Sequence, residues 1–566
     1  MNMKTELLGV IASFIITLLI AIPLGRYISR VFKKEKSLLD FMAPAERFIF
    51  RICGIDTTKE MNWKQHVAAL LSLNMLWLVY AFVMFLFQGN LFLNPDGNPS
   101  MSPHLSFNTA ISFLVNCNLQ DYSGETGVTY LTQLVVLMFL HFMSAATGIA
   151  ALVVVFKAMQ ERVTDKLGNF YEFFLKSITR ILLPLSILIA ILLVFHGTPA
   201  SFDAKDTFMT MQGDTSHVSR GPAAGMIAIK HLGTNGGGWF GANSAHPLEN
   251  PDYFTNMVEI IAQCIIPFAL VFSLGYFLNR KKMAIVIFGV MTLGMFCFLL
   301  PTMHAEMKGN PAISHLGLDQ SAGNMEGKEQ RFGAAASAYW SILTTVISTG
   351  SVNAMHDSSM PVSGAMQLLG MMTNCFYGGN GVGFLNYYIF IIIAVFISGL
   401  MVGRTPEFLG RKIEAKEMKI ATIIALLHPL LILAFTAVSS FVITKNPALP
   451  WLNNPAYHGF SEMLYQYTSC SANNGSGFEG LGDNTPFWNI TTGFVMILGR
   501  FLPIIGPLAI AGILAQKKFI PESSGTLRTD TGTFGIMTYA VIMILAALAF
   551  FPALTLGPLA EYFSFH

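Results

Sequence analysis

Apolar and polar positions alternate along this chain on two length scales. A helix needs about 20 apolar residues to cross a bilayer. Ten runs approach or exceed that length, at 7–25, 66–88, 128–156, 178–196, 254–278, 283–302, 384–403, 420–443, 487–515 and 534–556. Four shorter apolar stretches lie between them: NTAISFLVNCNLQ at 108–120, GMIAIKHLGTNGGGWF at 225–240, SAYWSILTTVISTGSV at 337–352 and SEMLYQYTSCSANNGSG at 461–477. Each begins as a helix would and ends in small polar residues. An apolar helix too short to span is read as re-entrant. The irregular backbone after it is tolerated at membrane depth only when buried in protein or lining a cavity.

Spacing makes these stretches a repeat. Asn118 to Gly236 is 118 residues, Gly236 to Gly350 is 114, and Gly350 to Gly475 is 125. A recurring period points to duplicated units, here span, re-entrant helix, polar turn, span. The units share little identity, so the repeat rests on pattern and period. The expected fold is an all-α polytopic membrane protein of about ten transmembrane helices. Four pseudo-repeated helix–pore-loop–helix units would surround one pore, with one extra helix at each end. The expected divisions are 1–60 (first helix and cytoplasmic linker), 61–160, 161–282, 283–415 and 416–520 (pore units one to four) and 521–566 (last helix).

Charge orients the chain. Lys and Arg favour cytoplasmic connections. Segments 26–64, 157–180, 280–282, 404–419 and 517–528 hold 25 of the 34 basic residues, while 88–130 holds none. These five segments are therefore expected inside and the N-terminus outside. The run at 7–24, after Lys4, is read as a retained span and not a signal peptide. No A-x-A-like cleavage site follows it, and Arg26, Arg30, Lys33 and Lys34 form a basic stop. Composition agrees: 53% of residues are hydrophobic and 12% charged, where a soluble domain carries about 25% charged. The lipid bilayer is the implied surrounding. A net charge of +2 implies no nucleic-acid partner. No connection between apolar stretches exceeds roughly 40 residues, which leaves no room for a large soluble catalytic domain. The six cysteines form no CxxC pair and are read as thiols, not as a disulfide framework.

The four polar turns carry the candidate chemistry. A dehydrated K⁺ needs oxygen ligands, and rings of backbone carbonyls from four loops supply them. Such loops need residues that accept unusual backbone angles and close approach. The turns offer Asn116, Cys117 and Asn118; Thr234, Asn235 and Gly236; Ser348, Thr349 and Gly350; and Asn473, Asn474 and Gly475. Each re-entrant helix would aim its C-terminal dipole end at a cation.

These stretches, with GTNGGGWFGANSAHPLENP (233–251), AMHDS (354–358), GRTPEFLGRKIE (403–414) and FPALTLGPLAEYF (551–563), resemble the potassium-binding A subunits of Kdp potassium-transporting P-type ATPases. That family is similar to the Trk and Ktr potassium transporters. The resemblance covers nearly the whole chain. It implies a K⁺ filter facing outside, formed by the four triplets, with Gln120 at its entrance. It also implies ATP hydrolysis on a separate P-type catalytic subunit (B), an accessory C subunit, a small single-span F peptide and a bacterial inner-membrane location. No cofactor beyond the transported K⁺ is implied for this chain. The first turn departs from the pattern, since Asn118 stands where the others carry Gly.

Further features call for a reading. Arg500 sits inside the apolar run VMILGRFLPIIG. Centring a basic residue costs about 2.5–3.5 kcal/mol, so it should face a cavity or partner: as a fixed charge near the fourth turn it braces the filter or shapes the ion's field, or else it bonds loop carbonyls without effect on transport. Gly378, Gly379, Gly381 and Gly383 break the segment after the third turn and are a candidate gate below the filter. His356 and Asp357 are read as packing at the mouth, and Trp239 and Trp451 as anchors at the membrane interface. Asp530-Thr531-Gly532-Thr533 lacks the Lys of a P-type phosphorylation site. Cys117 and Cys470 are lone thiols, not a soft-metal pair. Two other functions stay open: a stand-alone Trk- or Ktr-like carrier, and an intramembrane enzyme built on His246, His356 and Asp357.

Overall fold

The computed structural model describes residues 3–401, 403, 405–521 and 528–564. Arg404 of the GRTPE stretch and residues 522–527 of the last basic segment lie outside the described residues. Among those described, ten helices are long and apolar enough to cross a membrane, and they fall on the ten expected runs: Thr5–Phe32, Trp63–Asn90, Tyr130–Gln160, Phe170–Phe195, Tyr253–Phe277, Lys281–His315, Val382–Met401, Ala415–Lys445, Pro486–Ala515 and Gly532–Leu556. The chain is mostly helical. Two small antiparallel hairpins join it, Asp206–Met209 with Thr215–Val218 and Glu407–Phe408 with Arg411–Lys412.

Span starts are fixed by local chemistry. Asn62 and Gln65 form a reciprocal capping box before the second span, and Asp252 and Thr255 do so before the fifth. Each box satisfies amide groups that a helix start leaves open. The spans are not equivalent. In their most apolar windows, 83% of the third span and 78% of the fifth are buried, against 22% of the first, second and eighth. The third and fifth therefore form the centre, and the others present apolar faces outward. The first span is nonetheless tied to the centre through Glu6. Its carboxylate accepts the Ala335 N–H at 2.9 Å, at the start of a short buried helix, where the helix dipole favours an anion.

The short stretches form four helices, Pro103–Leu114, Ala223–Leu232, Ala334–Ile347 and Ala456–Ala472. All four are largely buried. Two tryptophans correct the sequence reading. Trp239 is fully buried with its ring 5.3 Å from Tyr130, and Trp451 stacks on Phe487 at 4.8 Å. Both fill the packed connections and neither reaches outward as an interfacial anchor would. All six cysteines are free.

Candidate functional site: four bends that meet

Each short helix ends in the same backbone device. The residue that opens the bend takes a left-handed φ: 64° at Asn116, 51° at Thr234, 59° at Ser348 and 52° at Asn473. The N–H of the next residue reaches back five positions to a helix carbonyl. Cys117 donates to Ser112 O at 3.0 Å, Asn235 to Lys230 O at 2.8 Å, Thr349 to Thr344 O at 2.9 Å and Asn474 to Ser469 O at 2.9 Å. This is the hydrogen bond that closes a helix through a left-handed residue. Asn serves at two of these positions because it is the non-glycine residue that most readily visits that region.

The third residues differ, though not where the sequence suggested. Asn118 takes φ 59°, in the same region as Gly350 at 88° and Gly475 at 102°. Gly236 is the one third residue without a left-handed φ. The irregular bend is therefore the second, not the first.

The four bends come together. A Cβ placed on Gly236 would lie 2.7 Å from Cys117 O, 2.9 Å from Asn474 O and 3.1 Å from the Gly350 Cα. One on Gly350 would collide with Asn474 O, and one on Gly475 with Cys117 O. Backbones this close require glycine. The first two bends are clasped together: Asn116 Nδ2 donates to Thr234 O at 2.6 Å, and Gln120 exchanges two bonds with Gly238, at 2.9 and 3.2 Å. The last two are clasped by Ser348 Oγ to Ala472 O at 2.8 Å and Asn474 Nδ2 to Thr344 O at 2.7 Å. Buried polar groups at the bends without a partner among the described residues include both amide atoms of Asn118 and the hydroxyl of Thr349.

The model of the potassium-transporting ATPase A subunit, KdpA, matches residues 11–563. The chain belongs to the KdpA family. It is 66% identical to the potassium-transporting ATPase potassium-binding subunit of Flavobacterium psychrophilum over 572 residues, covering 99% of this chain and all of the relative. The corresponding protein of Flavobacterium johnsoniae is 67% identical with the same coverage. That of Geobacillus kaustophilus is 47% identical over 97% of each chain.

In this KdpA-family chain Arg500 bonds behind the first two bends and not at the fourth, where its place in the sequence had put it. Its Nη2 donates to Ser144 O at 3.0 Å, and Ser144 Oγ donates to Asn116 Oδ1 at 2.8 Å and Asn235 Oδ1 at 3.2 Å. The glycine break packs directly against the helix ends. Asn380 N donates to Thr234 Oγ1 at 3.1 Å and Asn380 Nδ2 to Leu232 O at 2.8 Å, and Gly378 N donates to Val346 O at 3.2 Å. Gly378, Gly379 and Gly381 all take left-handed φ, and Cβ atoms on Gly381 and Gly383 would strike Gly148 O and Tyr377 O.

Sequence reasoning missed a buried ion pair behind the second bend. Lys230 and Glu249 are both fully buried and bonded to each other, and Lys230 Nζ also donates to Asn243 Oδ1 at 2.6 Å. Asn243 in turn bonds Gly236 O at 3.3 Å. The signal was available: Lys230 interrupts an apolar helix just as Arg500 does. A second missed feature is a carboxyl pair, Asp121 after the first bend and Asp483 after the fourth. Burial, and then each other's charge in the case of Asp121, raises both pKa values above the usual carboxylate range. Gln466 Nε2 donates to Asp483 Oδ2 at 3.0 Å.

The three residues of the enzyme reading do not converge. His246 stacks on Phe240 at 4.0 Å, His356 Nδ1 meets the Tyr465 hydroxyl at 2.9 Å, and Asp357 faces His458.

Proposed function

We propose that this chain is the K⁺-binding and translocating subunit of an ATP-driven potassium uptake complex, with the four bends as its selectivity filter. The carrying observation is the meeting of those bends, with Cys117 O and Asn474 O standing where a Cβ on Gly236, Gly350 or Gly475 would have to go. Peptide oxygens held this way replace the water around a cation. Full-length likeness to proteins named potassium-binding subunits supports K⁺ as the ion.

In this reading Asn116, Cys117 and Asn118, Thr234, Asn235 and Gly236, Ser348, Thr349 and Gly350, and Asn473, Asn474 and Gly475 line the filter. Gln120 ties the entrance, and Arg500 braces the first two bends through Ser144. The units divide as the repeat does, and the N-terminus and bends face outside the bacterial inner membrane. ATP is hydrolysed on a partner, the P-type B subunit, with the accessory C subunit and the F peptide completing the complex. Gly378 to Gly383 gate the exit. Bulky substitution at Gly381 with unchanged flux would remove that gating role.

The deciding experiment is rubidium uptake in cells lacking other potassium systems, with and without the catalytic partner. Uphill uptake is expected only with the partner. Uptake by this chain alone would favour the stand-alone carrier. Gly236→Asp and Gly475→Asp should each weaken discrimination for K⁺ while membrane insertion persists. Intact selectivity in both would argue that the bends are not the filter.

A further inference from the structure

A second cluster of ligating side chains lies away from the four bends, where three parts of the chain meet. His458 and Glu462, four residues apart and so on one face of the fourth short helix, turn toward Asp357, which follows the third bend. The ring nitrogen His458 Nε2 stands 2.9 Å from Asp357 Oδ1, and Nδ1 stands 2.8 Å from Glu561 Oε1 on the C-terminal helix Pro558–Ser564. Asn454 orients both carboxylates. Its Nδ2 donates to Glu462 Oε1 at 3.0 Å and Asp357 Oδ2 at 3.2 Å, and its backbone N donates to Glu462 Oε1 at 3.2 Å. One ligand atom from each of Asp357, His458 and Glu462 lies within 4.8 Å of the others.

The observation that points to a ligand is Glu462. It is fully buried, and its Oε2 has no hydrogen-bond partner among the described residues. An unpartnered buried carboxylate oxygen is costly, and here three carboxylates surround one imidazole. We propose that His458 Nε2, Asp357 and Glu462 bind a divalent cation of the zinc class, with Glu561 holding the ring from its other nitrogen.

One imidazole with two carboxylates is a donor set that zinc accepts, at about 2.0–2.2 Å for each ligand. The imidazole nitrogen disfavours calcium and magnesium, which take oxygen. Tetrahedral ligands at that distance stand roughly 3.3–3.6 Å apart, so the ion would replace the proton between His458 Nε2 and Asp357 Oδ1 and part them from their present 2.9 Å by about half an ångström. A carboxylate on the distal ring nitrogen is the usual outer support of a metal-bound histidine. The ion also has a way in, since the side chains of His458 and Glu561 are 16% and 17% exposed while Asp357 is 4%. The sequence reading of Asp357 as mouth packing did not anticipate this, because its partners lie 101 and 105 residues downstream. Occupancy would tie the connection after the third bend to the start of the fourth short helix and to the C-terminal helix.

The test is zinc titration of the purified, fully assembled complex, read by elemental analysis after equilibrium dialysis and by X-ray absorption at the zinc edge. The wild type should hold one more zinc per copy of this chain than His458→Asn or Glu462→Gln, with one imidazole and otherwise oxygen neighbours. Each variant should lose at least tenfold in affinity at that site while assembly and rubidium uptake persist. Equal zinc in all three proteins would overturn the proposal and leave a proton-bridged cluster. If His458→Asn fails to assemble, Glu462→Gln decides alone. It keeps the side-chain shape and an oxygen for Asn454, and undiminished zinc in it would overturn the site.

Discussion

The first two bends and the last two share a backbone path but are held by different chemistry. In the third and fourth, a hydroxyl six positions back accepts the N–H of the third residue: Thr344 Oγ1 from Gly350 and Ser469 Oγ from Gly475, both at 2.9 Å. The same register holds Ser112 in the first unit, whose hydroxyl bonds Leu119 O, and Lys230 in the second, committed to Glu249. Side-chain clasps join bend one to two and three to four. Across the seams the backbones make glycine contacts, Gly475 against Cys117 and Gly236 against Gly350. The four bends thus share a path of the main chain, and each half is braced by its own side chains.

Replacing the equivalent residues on the two sides tests that difference most strongly. Lys230→Met leaves Glu249 buried without its counter-charge, which costs about 3–5 kcal/mol. Thr344→Val strands one buried N–H, which costs about 1–3 kcal/mol. Thermal unfolding of the purified complex should show the larger loss for Lys230→Met. Equal losses would mean that the two braces are equivalent. At the seams, Gly475→Ala must hold a left-handed residue, at about 1–2 kcal/mol, and must also push Cys117 O aside. Apparent K⁺ affinity, read from rubidium competition, should fall by about tenfold or more, and by less for Gly236→Ala, whose φ is not left-handed.

Within the clasps, Asn116→Ala and Asn474→Ala each free a carbonyl of the adjoining unit, worth about 1 kcal/mol apiece. Each should lower the unfolding temperature, and the double variant should be additive if the halves are independent. The smallest effect is expected at Asp121 and Asp483, which face each other across the seam of bends one and four. Their raised pKa values mean that ionisation is penalised in the fold. The penalty is absent below about pH 4, the unfolded value, and grows as pH rises through the folded value. Asp483→Asn should therefore raise the unfolding temperature at about pH 8 and do so less at about pH 4. A pH-independent difference would mean the pair does not titrate in this way.

The spans were legible because each is a continuous apolar run, and the bends because Gly, Asn, Ser and Thr gather at one period. What joins the bends was not legible. Asn116 meets Thr234 118 positions away, the spacing of the repeat itself, and Asn474 meets Thr344 130 away, off that spacing; the repeat gives equivalent positions but not which of them bond. Trp239 and Trp451 were misread because nearness to a span end is a statement about sequence, whereas their burial comes from connections folding over them. Asn118 was expected to be the exception because it is not glycine, yet its side chain tolerates the same φ. Lys230 was overlooked although the argument applied to Arg500 fits it equally.

The bond from Arg500 to Ser144 spans 356 positions of chain. During synthesis the first two bends are made long before the ninth span exists to support them. They must wait, with Asn116 and Asn235 lacking that backing, until most of the protein has been made. Setting of these bends is then a late event, and a chain truncated before the ninth span would keep its early helices yet leave those bends without their brace.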